Sequence, residues 1–340
     1  MTRRLLDVDK VRIAGVAACL PSAAEDNLAR CTALYGDAAR ARNVVQTTGI
    51  RARRVAAPGV SSLDLCTAAA RRVLDVCGVS PSACGAVVAV TFTPERLMPG
   101  NACQAQTRLG LPTDALAFDV GLACSGYPYG LYLAGTLARA TGRPALLLDG
   151  DVQTAVLDPQ DGATVPVMAD AGTATLVLPA PDAVRPWQFG FLTDGAAGAA
   201  LSVPRGGTMT LDGFALFKFA AMDVSRFLCD FLAAASCPPA AVSAFVPNQS
   251  TLFTMRKLAQ QLGIDAARLW ISGDVFGNSA SASVPVTIAH CAPAARTAEG
   301  WPNLLVAGFG GGLSASAARV DLRADCRFAL FDHTTAEGEG

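Results

Sequence analysis

Two short stretches hold residue types that do covalent chemistry at neutral pH. Cys124 stands in Asp119-Val-Gly-Leu-Ala-Cys-Ser-Gly126, four residues past an apolar run at 115–120 and ahead of residues 131–139, whose apolar spacing is helical. A cysteine at such a strand-to-helix elbow feels the positive end of the helix dipole, which favours the thiolate by about 0.3–2 kcal/mol, roughly 0.2–1.5 pKa units. It reads either as a nucleophile able to hold an acyl group or as a small buried residue, the reading that suits most of the other ten cysteines. The second stretch, Gly308-Phe-Gly-Gly-Gly312, follows an apolar run at 304–307. Glycines there let backbone N–H groups approach a ligand oxygen, as an oxyanion hole requires, and a sharp turn or bulge asks for the same residues. Position 313 is Leu and no helical pattern follows, so the stretch is not a dinucleotide-binding glycine loop.

The elements that must position these residues alternate between strand and helix. In the first half, residues 11–18 or 11–20, 86–93, 115–120, 145–148 and 173–178 read as strands, several of them continuous apolar runs of the kind covered on both faces. Ser61 and Ser62 can cap a helix running to Val76 and stopped by Gly78, and residues 102–109 form a second helix. The second half repeats that order: a long helix at 214–235, a strand at 242–246, a helix at 252–262, a strand at 268–272, a helix at 279–290 and strands at 304–307 and 316–322. Two halves, 1–180 and 186–323, joined at 179–186 and followed by a tail at 324–340, predict an α/β fold with a pseudo-twofold pair of layers. Ligand sites in open α/β sheets form beyond the carboxyl ends of strands, which directs attention to 121–126, 247–251, 273–280 and 308–314.

Composition narrows the class. The chain has 340 residues, 51% hydrophobic and 16% charged, which excludes disorder and promises a large core. Lys+Arg 27 against Asp+Glu 28 leaves a formal charge of −1, so no global field draws nucleic acid or anionic lipid, and no uncharged apolar run reaches membrane-spanning length. Eleven scattered cysteines without a CxxC pair argue against a disulfide framework and a zinc ribbon; no metal is expected, and a reducing cytoplasm fits best. Asp7, Asp9, Lys10 and Arg12 interrupt the apolar stretch after Met1-Thr-Arg-Arg-Leu-Leu, so residues 11–20 read as a core strand rather than part of a secretory leader.

Five motifs together point to a family: DVGLACSGYPYG around Cys124, Pro99-Gly-Asn-Ala-Cys-Gln-Ala-Gln-Thr-Arg-Leu-Gly110, Val246-Pro-Asn-Gln249, Phe276-Gly-Asn-Ser-Ala-Ser-Ala-Ser-Val-Pro285 and 308–313. The chain resembles the ketoacyl-acyl-carrier-protein synthase III group of the thiolase superfamily from about Val11 to Leu322. The resemblance implies a thiolase-like five-layer α-β-α-β-α sandwich of two duplicated halves, a homodimer, and a two-stage reaction. A cysteine takes an acyl group from coenzyme A or an acyl carrier protein; a His and an Asn then hold the thioester carbonyl of a malonyl unit as it decarboxylates and attacks. By this resemblance Cys124 is the nucleophile, Gly311 supplies an N–H beside that of Cys124 to the acyl oxyanion hole, and Asn278 is the catalytic asparagine. Met98 matches the position that closes the partner subunit's acyl pocket.

The departure is at position 248. Where the family has Val-Pro-His-Gln-Ala-Asn, this chain reads Val246-Pro-Asn-Gln-Ser-Thr251, so the histidine is Asn248. The only histidines are His290, expected packed at a helix end, and His333 in the polar tail. Asn donates hydrogen bonds but does not take and release a proton as imidazole does, and a general acid–base group contributes roughly 10²–10⁴ in rate. Asn248 and Asn278 then form a two-amide oxyanion hole without acid–base help. The residue that commonly meets the pantetheine phosphate or carrier protein aligns with Phe253, and the usual tryptophan before Thr48-Gly-Ile-Arg51 is absent. Arg51, Arg53 and Arg54 form a basic cluster that suits a phosphate at the tunnel mouth or a solvated face. The expected function is acyl transfer through acyl-S-Cys124, with acyl-CoA or a phosphopantetheine thioester as substrate and no cofactor. Decarboxylative condensation and a non-catalytic subunit of a heterodimer are the alternatives.

Overall fold

The computed structural model describes residues 5–334. Its two large sheets follow from short apolar runs that need cover on both faces. The first has six strands in the order Arg327–Asp332, Val11–Leu20, Ala171–Pro179, Ala145–Asp151, Ala86–Val90 and Leu116–Val120. Ala86–Val90 is buried at every position, as its unbroken apolar sequence requires, and Ala145–Asp151 is buried throughout although its end carries two aspartates. The second sheet has five strands in the order Leu6–Val8, Trp187–Thr193, Ser314–Leu322, Trp301–Gly310 and Phe245–Pro247.

Helices fill three layers around these sheets. The Gly126–Thr141 and Ser283–Cys291 helices lie between them, where Tyr127, Leu131, Val286 and Ile288 pack against Val88 and Leu147 of one sheet and Val246 and Val306 of the other. The Ser62–Cys77 and Asn101–Leu109 helices cover the outer face of the first sheet, and the Ser225–Ala234 and Leu252–Leu262 helices that of the second. The result is the five-layer α-β-α-β-α sandwich implied by the resemblance. Ser61 caps the Ser62–Cys77 helix through a reciprocal capping box with Asp64, and Gly78 ends it in the left-handed conformation. No helix of the described residues is long and apolar enough to cross a membrane.

Several elements differ from the sequence expectation. Residues 268–272 make one isolated bridge, Phe245 to Leu269, instead of a strand. The Gln249 side chain takes the backbone groups a ladder would use: its Oε1 accepts from Ser272 and Gly273 N–H at 2.9 and 3.0 Å. The long helix expected at 214–235 is present, with a π-helical turn at Phe219–Val224. The stretch 324–340 is not all tail: Arg327–Asp332 pairs in parallel with Val11–Leu20, and residues 335–340 lie outside the described residues, as do Met1–Arg4. Leu6–Val8, at the other end, pairs with Trp187–Thr193 in the second sheet. Each half therefore holds an edge strand that belongs to the other half's end of the chain.

Candidate active site

Cys124 lies in the turn between the Leu116–Val120 strand and the Gly126–Thr141 helix, as the elbow predicted. Serines clamp that turn to the second sheet. Ser125 and Ser314 share a 2.7 Å hydroxyl contact, and the Ser316 hydroxyl donates to the Ser125 carbonyl at 2.6 Å. The glycine run passes directly over the nucleophile. A side chain on Gly308 would collide with the Cys124 carbonyl oxygen, and a methyl on Gly310 would lie 3.0 Å from Cys124 Cβ and 3.4 Å from its sulfur. This close approach is what the glycines permit.

Asn248, at the end of the Phe245–Pro247 strand, is held from three sides. Its N–H donates to Ala307, its carbonyl accepts from Ser250 N–H, both at 2.8 Å, and its Oδ1 accepts from Phe309 N–H at 3.2 Å. The side-chain NH₂ has no acceptor among the described residues and remains available as a donor. Asn278 follows the short Gly273–Phe276 helix; its Oδ1 accepts from Ala280 N–H at 3.2 Å, which turns its amide nitrogen toward the Cys124 sulfur. Gly311 lines the same cavity as Cys124, and neither N–H is committed to a backbone carbonyl among the described residues. Of the four expected site residues, Asn278 reaches the Cys124 sulfur, Gly311 shares the cavity wall with Cys124, and Asn248 is tied to Phe309 of the glycine run that passes over it.

The electrostatics oppose the sequence expectation for Cys124. Burial pushes its thiol up to about 12, and the charge of Asp151 pushes in the same direction, while its own backbone N–H and the Asn278 amide favour the thiolate. The helix dipole acts only at the elbow, and enclosure between two sheets outweighs it. Asp151, on the end of the Ala145–Asp151 strand, is also raised, to about 7, by burial, against four donors on a single oxygen. These are the Thr91 hydroxyl at 2.8 Å, Phe92 N–H at 2.9 Å, and the Thr93 N–H and hydroxyl at 3.1 and 2.9 Å. Asp149, two residues earlier, is held well above the ordinary carboxylate range by burial and by Asp151. Gln153, almost fully buried, donates from Nε2 to the carbonyls of Asn278 at 2.7 Å and Ala169 at 2.8 Å. The sequence reading missed Asp151 and Gln153. Their signal was their place just past the 145–148 strand, one of several strand ends outside 121–126, 247–251, 273–280 and 308–314.

A cavity of about 910 Å³ opens from Cys124, walled by Phe92, Val156, Met168 and Met209. Met98 is 86% exposed beside Leu97, which lines the cavity. Phe253 is 56% exposed and lies tilted against Phe217, ring centroids 5.9 Å apart; it is not part of the cavity wall. The expected basic cluster at a tunnel mouth does not form. Arg53 is buried, pairs with Glu25 and donates to the Met168 carbonyl at 2.9 Å; Arg54 pairs with Asp332 at 2.9 Å and donates to the Pro21 carbonyl. Arg51 alone is well exposed, and it pairs with Asp274 at 2.8 Å. Partners distant in sequence neutralise all three. His290 is exposed, in contact with the edge of Phe276, rather than packed inside, and His333 is held by its N–H to Leu20. The cysteines are all free thiols, and no cluster of three metal-ligating side chains is present among the described residues.

Comparison with known proteins gives the same family from sequence and from structure. Residues 118–195 match the family described as 3-oxoacyl-[acyl-carrier-protein (ACP)] synthase III, and residues 232–322 match its C-terminal part. A beta-ketoacyl-[acyl-carrier-protein] synthase III of Desulfitobacterium hafniense is 31% identical over 82% of this chain and 88% of its own length. One of Rhodopirellula baltica is 29% identical over 80% of this chain and 88% of its own length. Among solved structures, a 3-oxoacyl-(acyl-carrier protein) synthase from Burkholderia xenovorans superposes with a TM-score of 0.91 at 28% identity, covering 97% of this chain and 99% of that one.

Proposed function

The chain belongs to the 3-oxoacyl-[acyl-carrier-protein] synthase III family, and from that membership we propose that it is an acyltransferase working through acyl-S-Cys124. The observation that supports this reading most is one buried sulfur on the wall of a large, mainly apolar cavity, beside two N–H groups that donate to no backbone carbonyl among the described residues. In the loading step the Cys124 sulfur attacks the donor thioester carbonyl. The Sγ–C bond forms, the donor C–S bond breaks, and the thiol proton leaves with the donor thiol. The Cys124 and Gly311 N–H groups take the oxyanion, and the Asn278 amide favours the sulfur as anion.

The donor is an acyl-CoA or an acyl carrier protein, and no cofactor is needed beyond the thioester. An amide at 248 offers a hydrogen bond and no proton, so the acyl group passes most readily to an acceptor nucleophile that needs no imidazole. A homodimer would bring the partner's Met98 loop over the cavity. Intact-protein mass spectrometry after mixing with acyl-CoA and acyl-carrier donors tests the reading: one acyl mass added, absent in Cys124→Ala, is expected, and no adduct across a donor panel overturns it.

A second reading, decarboxylative condensation with a malonyl thioester, is favoured by one observation: the uncommitted NH₂ of Asn248 is a donor suited to a second carbonyl. Release of CO₂ from malonyl-acyl carrier protein, lost in Asn248→Ala, would support it.

A further inference from the structure

The cavity beside Cys124 has an apolar wall and two cations that nothing else employs. Arg96 lies on the loop after the Ala86–Val90 strand, and Arg205 on the loop between the short strands Leu201–Ser202 and Thr210–Leu211. Both line the cavity into which the nucleophile opens. Arg51, Arg53, Arg54 and Arg108 each hold a carboxylate, whereas neither Arg96 nor Arg205 has an ion pair or hydrogen bond among the described residues. The one acid in the wall, Glu95, is already neutralised by Arg108 at 2.9 and 3.2 Å. The cavity therefore presents two uncompensated guanidinium groups, from separate loops, to whatever Cys124 holds.

On the reading that Cys124 is acylated, we propose that the preferred acyl group carries a carboxylate at its far end, which Arg96 and Arg205 receive while the methylene chain lies against Phe92, Val156 and Met209. Both arginines are solvent-exposed, and a planar guanidinium matches a carboxylate in two parallel hydrogen bonds. A neutral chain of the same length gains nothing from either arginine and leaves both facing an apolar group. The donor class is thus the monothioester of a dicarboxylic acid.

The test compares acyl loading from succinyl-CoA and glutaryl-CoA with butyryl-CoA and valeryl-CoA, followed by intact-protein mass spectrometry over time. The carboxylate-ended donors should load about three- to tenfold faster, as pairing with two exposed guanidinium groups implies. In the Arg96→Gln/Arg205→Gln double variant that ratio should fall toward one, and Arg96→Lys/Arg205→Lys should keep part of it. Faster loading of the neutral donors by the unaltered chain overturns this inference alone. A double variant that slows all donors alike, with the ratio intact, also overturns it, because the arginines then hold the phosphates common to every CoA donor. Absence of any adduct overturns both this inference and the acyl-cysteine reading beneath it.

Discussion

Gln153 Nε2 lies 2.7 Å from the backbone carbonyl oxygen of Asn278 and donates to it, from a position on the wall of the Cys124 cavity. The same nitrogen reaches Ala169 at 2.8 Å, so one amide ties the asparagine loop to the segment facing it. Gln153 touches no reacting atom; it positions the residue that does. Gln153→Leu should cost about 1–3 kcal/mol in urea unfolding, because the buried Ala169 carbonyl loses its donor and the Asn278 carbonyl keeps only Ala169 N–H. It should also slow acyl loading at saturating donor by roughly tenfold or more through displacement of Asn278. Loading at an unaltered rate would show that Asn278 holds its place without it.

Cys124 should respond to pH as a buried thiol. With its thiol raised from an ordinary 9.0 to about 12, the thiolate at pH 7 is about one part in 10⁵. Alkylation of Cys124 by iodoacetamide, followed by peptide mass spectrometry, should rise close to tenfold per pH unit from 7 to 10 without levelling. The same shift makes the unfolded chain ionise first, near 9, so this thiol removes stability as pH rises from there toward 12. A plateau in alkylation below pH 8 would contradict the burial argument.

Asp151 should make the fold less stable as pH rises between about 4 and 7. In that window the folded chain keeps a proton on this carboxyl, raised to about 7, that the unfolded chain has released. The full loss by pH 8 is about 4 kcal/mol. Asp151→Asn keeps an oxygen for the Thr91, Phe92 and Thr93 donors and removes the charge. Urea unfolding of the variant should therefore show a flatter pH profile across 4–7, and Cys124 should alkylate faster at pH 8. A profile as steep as that of the unaltered chain would assign the pH dependence elsewhere.

Asn248→His should supply a proton carrier next to the glycine run that passes over Cys124. If an amide at this site limits condensation, CO₂ release from malonyl-acyl carrier protein should rise by roughly 10²–10⁴. The Phe309 N–H, which now donates to Asn248 Oδ1 at 3.2 Å, should find imidazole nitrogen as an alternative acceptor. No gain in CO₂ release, with the acyl adduct still forming, would place the limit beyond this residue.

The sequence showed where the chemistry sits better than it showed how the charges balance. Cys124 was legible because strand, elbow and helix are contiguous, and Ser61 and Gly78 mark helix ends by local chemistry alone. The Arg51, Arg53 and Arg54 cluster was misleading because Asp274, Glu25 and Asp332 arrive from other parts of the chain. Residues 268–272 have strand composition, but the Gln249 side chain, 23 and 24 positions earlier, captures the N–H groups of Ser272 and Gly273 at their end. The thiol's direction of shift depends on enclosure by two sheets, which no local pattern encodes. The Arg327–Asp332 strand is short and finds its partner at Val11–Leu20, across almost the whole chain.

That exchange of edge strands has a consequence for how the molecule can be divided. Although the chain reads as two similar pieces, a cut at the 179–186 joint would strip each piece of a border the other supplies. The amino-terminal fragment would bare the flank of Val11–Leu20, and the carboxyl-terminal fragment that of Trp187–Thr193. Exposed sheet flanks of that kind invite promiscuous pairing. The repeated halves are interlocked at their termini, so heterologous swaps between relatives must carry both ends of the polypeptide together.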